Sequence, residues 1–323
     1  MGEKMKRWLC CWLIFQWFIL PIQADNYVVI GNGEVIEEKN MHEVQSVASI
    51  SKIMTALVAI ENCELTEMTT ISKKAASQVG SSVYLKEGSQ VSLLSLLHGL
   101  MLRSGNDCAM AIAELVGGSE ERFVEMMNEK AEDLGMKDSL FRNPSGLDEF
   151  DGGNLSSCYD MGILMQQAMR NDAFLKIAGA KYYTNEFHQK WKNKNRLLFE
   201  DAFTIAGKTG YTKQSGKTLV TAAKCQNMDV IVVSFRNDDY FQFHQKKQQD
   251  YFNRAIPFEI LAPGVYQQRG HTFKVEEPIV YYSFDQYPAL KICLIKHRHQ
   301  MQLKIITKDQ QVVHSFDIIG GGA

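Results

Sequence analysis

The 323-residue chain reads as an α+β protein. Two observations carry that reading. Strand-like segments open the chain, apolar helical segments fill its middle, and β-branched alternating segments followed by one more helix close the main unit. That order lets the first and last strands share one antiparallel sheet beside a helical cluster. From Ala262 onward only strand-like segments follow, and Pro263-Gly264 marks a boundary. The expected division is therefore a leader over 1–24, a main domain over 25–261 and a small all-β domain over 262–323.

The leader "MGEKMKRWLCCWLIFQWFILPIQADN" sets Lys4, Lys6 and Arg7 before an apolar run from Trp8 to Ile22, and Ala24 follows. This is the layout of a secretory signal peptide. The run contains Gln16 and Pro21 and falls short of the roughly 20 residues of a membrane span. Export is expected, with cleavage after Ala24 as the first reading and an uncleaved anchor as the alternative. The tail "GGGA" carries no amphipathic anchor, so contact with a membrane surface stays open.

Within the main domain, residues 27–36 read as two strands around the turn "GNG". Residues 49–63 read as a helix that is apolar around most of its circumference and so buried on several sides. Helices are also expected over 92–103 and 107–117, interrupted at "SGN", over 119–135, and over 159–171. Residues 203–237 read as adjacent antiparallel strands, and 239–261 as a helix that ends on meeting Pro257.

Formal charge is −2, and no run of Lys or Arg suggests a basic patch, so nothing points to nucleic acid. Cys10 and Cys11 lie in the leader. The others, Cys63, Cys108, Cys158, Cys225 and Cys293, are scattered and odd in number. They read as small buried hydrophobes rather than a disulfide framework or a zinc site. The histidines, "HRH" at 297–299 included, read as surface residues, and no metal or cofactor is expected.

Chemistry-bearing residues appear in three places. Ser49 and Lys52 are three apart, which on a helix puts both side chains on one face, whereas Ser51 points about 100° away. Burial disfavours an ammonium, so a lysine in an apolar helix is a candidate base and Ser49 its candidate nucleophile. A snorkelling lysine and a capping serine are the alternative. The loop "SGN" puts the Ser104 hydroxyl and Asn106 amide between two apolar helices, where they can face a cleft or merely form a turn. The stretch "GKTGY" lies on an expected strand, with Lys208 and Thr209 suited to a carboxylate and Gly210 permitting close backbone approach. A phosphate-binding loop requires glycine five positions before the Gly of GK[ST]; Ala202 and Tyr211 stand there instead, which excludes a nucleotide site of that kind.

Taken together, S-x-x-K, S-x-N and K-T-G in this order form the set found in penicillin-binding proteins and class A β-lactamases. "ASISKIMTALVA", "LMLRSGNDCAMAIAE", "FVEMMNEKAEDLGM", "NPSGLD" and "IAGKTGYT" resemble the D-alanyl-D-alanine carboxypeptidases, the low-molecular-mass penicillin-binding proteins, over roughly residues 27–255. The resemblance implies a β-lactamase/transpeptidase-like domain and a hydrolase acting on peptidoglycan stem peptides, with β-lactams as covalent inhibitors. It implies Ser49 as the acylated serine, Lys52 as its general base and Ser104 as a proton relay. Asn106 would position substrate and Lys52, Lys208 and Thr209 would bind the terminal carboxylate, and Gly210 would keep the strand open. The backbone N–H groups of Ser49 and Tyr211 would form the oxyanion hole. Departures are mild: Ile50 and Ser51 where Thr or Leu and Thr are frequent, Tyr211 where His is frequent, and Ser145 where His is more frequent. The alternatives are a D,D-endopeptidase on cross-links, a β-lactamase or an idle wall-binding protein. Against the β-lactamase, Glu149, Glu186 and Glu200 lack the context of its water-activating glutamate.

Overall fold

The computed structural model describes residues 24–148, 152–268, 271–284, 290–297, 300–307 and 312–318. The leader before Ala24, Glu149, Arg298, His299 and the closing "GGGA" lie outside the described residues.

A five-stranded antiparallel sheet organises the main unit. Its strands are β1 (Asn26–Gly31), β2 (Glu34–Lys39), β3 (Thr204–Thr212), β4 (Gly216–Cys225) and β5 (Met228–Phe235). Their spatial order is β2-β1-β5-β4-β3, so the chain's first strand pairs with its last and β3 is an edge. Val, Ile, Thr and Ala dominate the central strands because side chains on both faces are buried.

One face carries the helical cluster. It includes α1 (Lys52–Asn62), α2 (Leu93–His98), α3 (Asn106–Gly117), α4 (Glu120–Asp133) and α5 (Cys158–Ala168), whose apolar sides merge into one core with Val28, Ile231 and Val233 of the sheet. In α1, every residue from Lys52 to Ala59 is buried, as its all-round apolarity requires. Ser119 caps α4 by accepting from Arg122 N, and Gly135 follows in the left-handed region. The opposite face is covered by α6 (Tyr240–Asn253) through Phe243, Tyr251 and Phe252.

Three boundaries differ from expectation. The helix expected from Ser49 begins as a 3₁₀ turn over Ala48–Ser51, and α-helix starts only at Lys52. The helix expected over 92–103 is α only to His98; Gly99–Arg103 is a π turn. The last helix stops at Asn253, and Ile256–Leu261 is a strand, because Pro257 disfavours helix at the residue before it. That strand pairs with Ile279–Ser283, so a boundary after Leu261 parts two hydrogen-bonded partners. We propose Arg254–Ala255 as the junction instead. The C-terminal strands gather Leu261, Phe273, Val275, Ile279 and Ile305 into a separate small core.

Burial also corrects two side-chain expectations. Cys108 and Cys158 are buried, but Cys63, Cys225 and Cys293 are only half-buried; all five are free. His98 and His244 are not surface residues. His98 stacks on Tyr183 at 3.7 Å between centroids. His244 is fully buried between α6 and the sheet, bridging Thr221 Oγ1 at 2.7 Å and Ser234 Oγ at 2.9 Å.

Burial pushes the His244 pKa down from 6.5 to about 3. Between those values the unfolded chain binds a proton that the folded chain refuses, so acidification favours unfolding by up to about 1.4 kcal/mol per pH unit. Thermal melts of His244→Gln between pH 6.5 and 3 are expected to show a shallower fall in Tm than the parent.

Candidate active site

The cleft lies where the 3₁₀ turn, the start of α3 and the edge strand β3 meet. Ala48 takes a positive φ of 52°, an uncommon conformation for a residue with a side chain, and leads directly into Ser49. Thr218 Oγ1 of β4 donates to Val47 O at 3.0 Å and ties this turn to the sheet. Ser49 is the one partly exposed residue in a turn whose neighbours are buried. Ser51 is fully buried, its hydroxyl spent on Ala48 O at 2.8 Å.

Lys52 Nζ reaches three acceptors: Ser49 Oγ at 3.0 Å, Asn106 Oδ1 at 2.8 Å and the carbonyl of Ser145. The ammonium has no solvent exposure, and burial lowers its pKa from 10.5 to about 7, assisted by the charge of Lys194 and opposed by Cys108 and Asp107. As a neutral amine, Lys52 can satisfy the two carbonyl oxygens with its two N–H bonds, because those oxygens only accept. Its lone pair is then left facing the Ser49 hydroxyl. A proton can pass along that 3.0 Å contact.

A second lysine completes the pair of hydrogen-bonded groups. The π turn Gly99–Arg103 ends at Ser104, held in the left-handed region at φ 64°. Lys208 Nζ donates to Ser104 Oγ at 3.0 Å and to Thr209 O at 2.7 Å. Burial lowers its pKa well below the ordinary lysine value, and Lys52 and Lys194 add repulsion. An anion arriving beside Lys208 relieves that penalty. Gly210, next along β3, lies against the 3₁₀ turn: a Cβ there would overlap Thr218 Oγ1 and stand 3.1 Å from the backbone nitrogens of Ser49 and Ile50. This approach brings the strand around Gly210 and Tyr211 beside Ser49, with the Tyr211 side chain exposed. In the described sheet β3 is an edge with no strand partner on its outer side, the place an extended peptide takes in strand addition.

The structure thus brings Ser49, Lys52 and Asn106 into one hydrogen-bonded group and Ser104, Lys208 and Thr209 into another. Asn106 is further held by Nδ2 donating to Val79 O at 2.6 Å. Three contributors escaped residue-level reading. The Ser145 carbonyl is aimed by Asn143, whose Oδ1 accepts from Ser145 N and Gly146 N at 3.1 and 2.7 Å. Gly146 has φ 74° and presses on Ala48 so closely that any Cβ would overlap its carbonyl. Only the quoted "NPSGLD" signalled this loop. Asp107, buried in the first turn of α3, accepts from Val83 N and Leu85 N and fixes the loop that carries them. Lys194 donates to Ser81 Oγ at 3.3 Å at the rim. Glu186 accepts from Ser92 N at 3.1 Å and Glu200 pairs with Arg196 at 3.1 Å, both outside these two groups.

The model of the D-alanyl-D-alanine carboxypeptidase family matches residues 19–239. The chain is 37% identical over 227 residues to the D-alanyl-D-alanine carboxypeptidase DacF of Bacillus subtilis, covering 67% of this chain and 58% of that one. It is 34% identical over 218 residues to DacD of Escherichia coli, covering 62% and 55%. The chain therefore spans a little over half the length of these curated relatives. A crystal structure of a D-alanyl-D-alanine carboxypeptidase from Mycobacterium tuberculosis superposes with a TM-score of 0.67 at 27% identity, covering 72% of this chain and 92% of that one. Penicillin binding protein 6B from Escherichia coli superposes at 0.68 with 25% identity, covering 93% and 96%.

Acylation of Ser49 by a serine-directed reagent, followed by intact mass, is expected to accelerate as pH rises through about 7, the point at which Lys52 loses its proton. Lys52→Arg keeps a cation that does not deprotonate and is expected to slow acylation by about a hundredfold or more at every pH.

Proposed function

The chain belongs to the D-alanyl-D-alanine carboxypeptidase family, and from that premise we propose that it is an exported serine D,D-carboxypeptidase acting on peptidoglycan stem peptides. The observation that carries this is the convergence of Ser49, Lys52 and Asn106 with Ser104 and Lys208 across one open sheet edge.

The substrate peptide lies along β3 with its terminal carboxylate against Lys208 and Thr209. Neutral Lys52 takes the Ser49 proton as Oγ attacks the carbonyl of the penultimate D-alanine. The backbone N–H groups of Ser49 and Tyr211 receive the oxyanion. The C–N bond then breaks, and the departing D-alanine amine takes the proton held by Lys52 through Ser104. Water next adds to the ester, giving its proton to Lys52, and the C–O bond to Ser49 breaks as Oγ recovers a proton. The net change is one peptide bond hydrolysed. A β-lactam, which imitates D-Ala-D-Ala, enters the first half of this sequence and acylates Ser49. Asn106 keeps Lys52 pointed at Ser49 throughout and offers its second amide N–H to the substrate.

The reaction requires no metal or cofactor. Its site is outside the cytoplasm, in keeping with the leader-like N-terminus and with peptidoglycan as substrate. Among the described residues, no helix is long and apolar enough to cross a membrane.

Two measurements test the reading together: D-alanine release from a stem pentapeptide, and intact mass after penicillin. The parent is expected to release D-alanine and carry one penicilloyl adduct on Ser49, and Ser49→Ala to do neither. Absence of both in the parent overturns the proposal. Lys208→Ala is expected to lower kcat/KM for the pentapeptide by about ten- to a hundredfold, the scale of a lost charge-assisted hydrogen bond.

A further inference from the structure

We infer that the segment from Lys190 to Lys194 is a cationic stripe that receives a carboxylate-bearing stretch of the substrate peptide, so that this enzyme prefers acidic peptides. The inference rests on the D,D-carboxypeptidase reading.

The sequence holds no run of adjacent cations, and on that ground no basic patch is expected; the fold makes one by alternation. Along "KWKNKNR", Trp191, Asn193 and Asn195 are buried while Lys190, Lys192, Lys194 and Arg196 are exposed. Every outward position is therefore a cation. Lys190–Lys192 is a strand, in which alternate residues share one face about 6.6 Å apart, and Lys194 follows in a bend. Lys181, from the neighbouring strand end, joins Lys192 over the Phe199 ring, at 5.8 and 4.8 Å from its centroid. Lys190 sits over Tyr182 at 4.7 Å.

Ordinary protein surfaces interleave charges of both signs. Here Arg196 has Glu200, but among the described residues Lys181, Lys190 and Lys192 form no ion pair with a carboxylate. Aromatic faces offset their mutual repulsion locally, and an unpaired cluster of cations attracts an anion.

Position names the anion. Lys194 reaches Ser81 at the rim of the cleft, and its charge bears on both Lys52 and Lys208. Arg103, the last residue of the turn that presents Ser104, donates to Lys192 O at 3.3 Å. At the outer end, Gln189 beside Lys190 borders a groove with Phe187, Tyr84 and Leu85. The stripe is thus continuous with the peptide cleft. Across Lys190 and Lys192 the strand repeat of about 6.6 Å matches that of an extended peptide. A peptide bearing a carboxylate away from its terminus meets both features.

The test compares two pentapeptides ending in D-Ala-D-Ala that differ only in one internal carboxylate, free or amidated. The parent is expected to favour the free acid, and the preference to shrink as salt rises. The double variant Lys190→Gln/Lys192→Gln is expected to lose about three- to tenfold in kcat/KM on the acidic peptide alone, through KM, on the scale of two exposed ion pairs. The amidated peptide and penicillin acylation remain at parental rates, and Lys190→Arg/Lys192→Arg retains the preference. Equal kinetics of parent and Gln variant on both peptides overturn the inference while leaving the carboxypeptidase reading standing. So does loss of inorganic polyphosphate binding without a change in peptide kinetics, which assigns the stripe to a phosphate polymer. Release of D-alanine from neither peptide by the parent overturns both.

Discussion

The burial of one lysine side chain is the constraint on which the site depends. A cation without solvent is tolerated only where hydrogen-bond acceptors replace water or where the proton is given up. Lys52 has both remedies. Its acceptors come from three separate places in the chain: the 3₁₀ turn at Ser49, the first residue of α3 at Asn106, and the loop at Ser145. Each must be held by something else. Thr218 ties down the first, Val79 and Ser81 the second through the side chain and backbone of Asn106, and Asn143 the third. Much of the polar bonding around the cleft thus converges on the orientation of one amine.

Lys208 poses the same difficulty and resolves it differently. It too is buried, and it feels the charge of Lys52. Two buried cations so placed oppose each other's protonation. Burial and the Lys52 charge hold Lys208 well below the ordinary lysine value, and an anion beside it would favour its charged form. On the proposed reading, a carboxylate bound at Lys208 and a neutral Lys52 are linked through the field between the two buried lysines. Ser104 stands at the junction, bonded to Lys208 and presented by a turn that is neither α-helix nor ordinary loop.

The comparisons agree with this physical reading at the level of family and fold. The matched family region ends at residue 239, just after the last strand of the five-stranded sheet, and so contains the sheet, the helical cluster and both lysines. The C-terminal strands beyond it touch the main unit through matched hydrogen bonds between Asn227 and Tyr282. That contact gives the small β unit a defined seat on the turn between β4 and β5.

The sequence alone determined the α+β order, the closing of the sheet by first and last strands, the choice of Ser49 over Ser51, and the family resemblance. These are properties of spacing: a three-residue interval on a helix, alternation on a strand, and three short motifs in a fixed order. It left undetermined which side chains and carbonyls from distant segments come into contact. A backbone carbonyl such as that of Ser145 has no side-chain signature, so its role as an acceptor for Lys52 appears only when the loop is folded against the turn. The π turn before Ser104 is likewise invisible, since its residues have ordinary helix-forming character. His244 looks like any surface histidine until α6 is laid on the sheet. The stripe at Lys190–Lys194 escapes a search for adjacent charges because period-two burial, a tertiary outcome, is what gathers its cations onto one face.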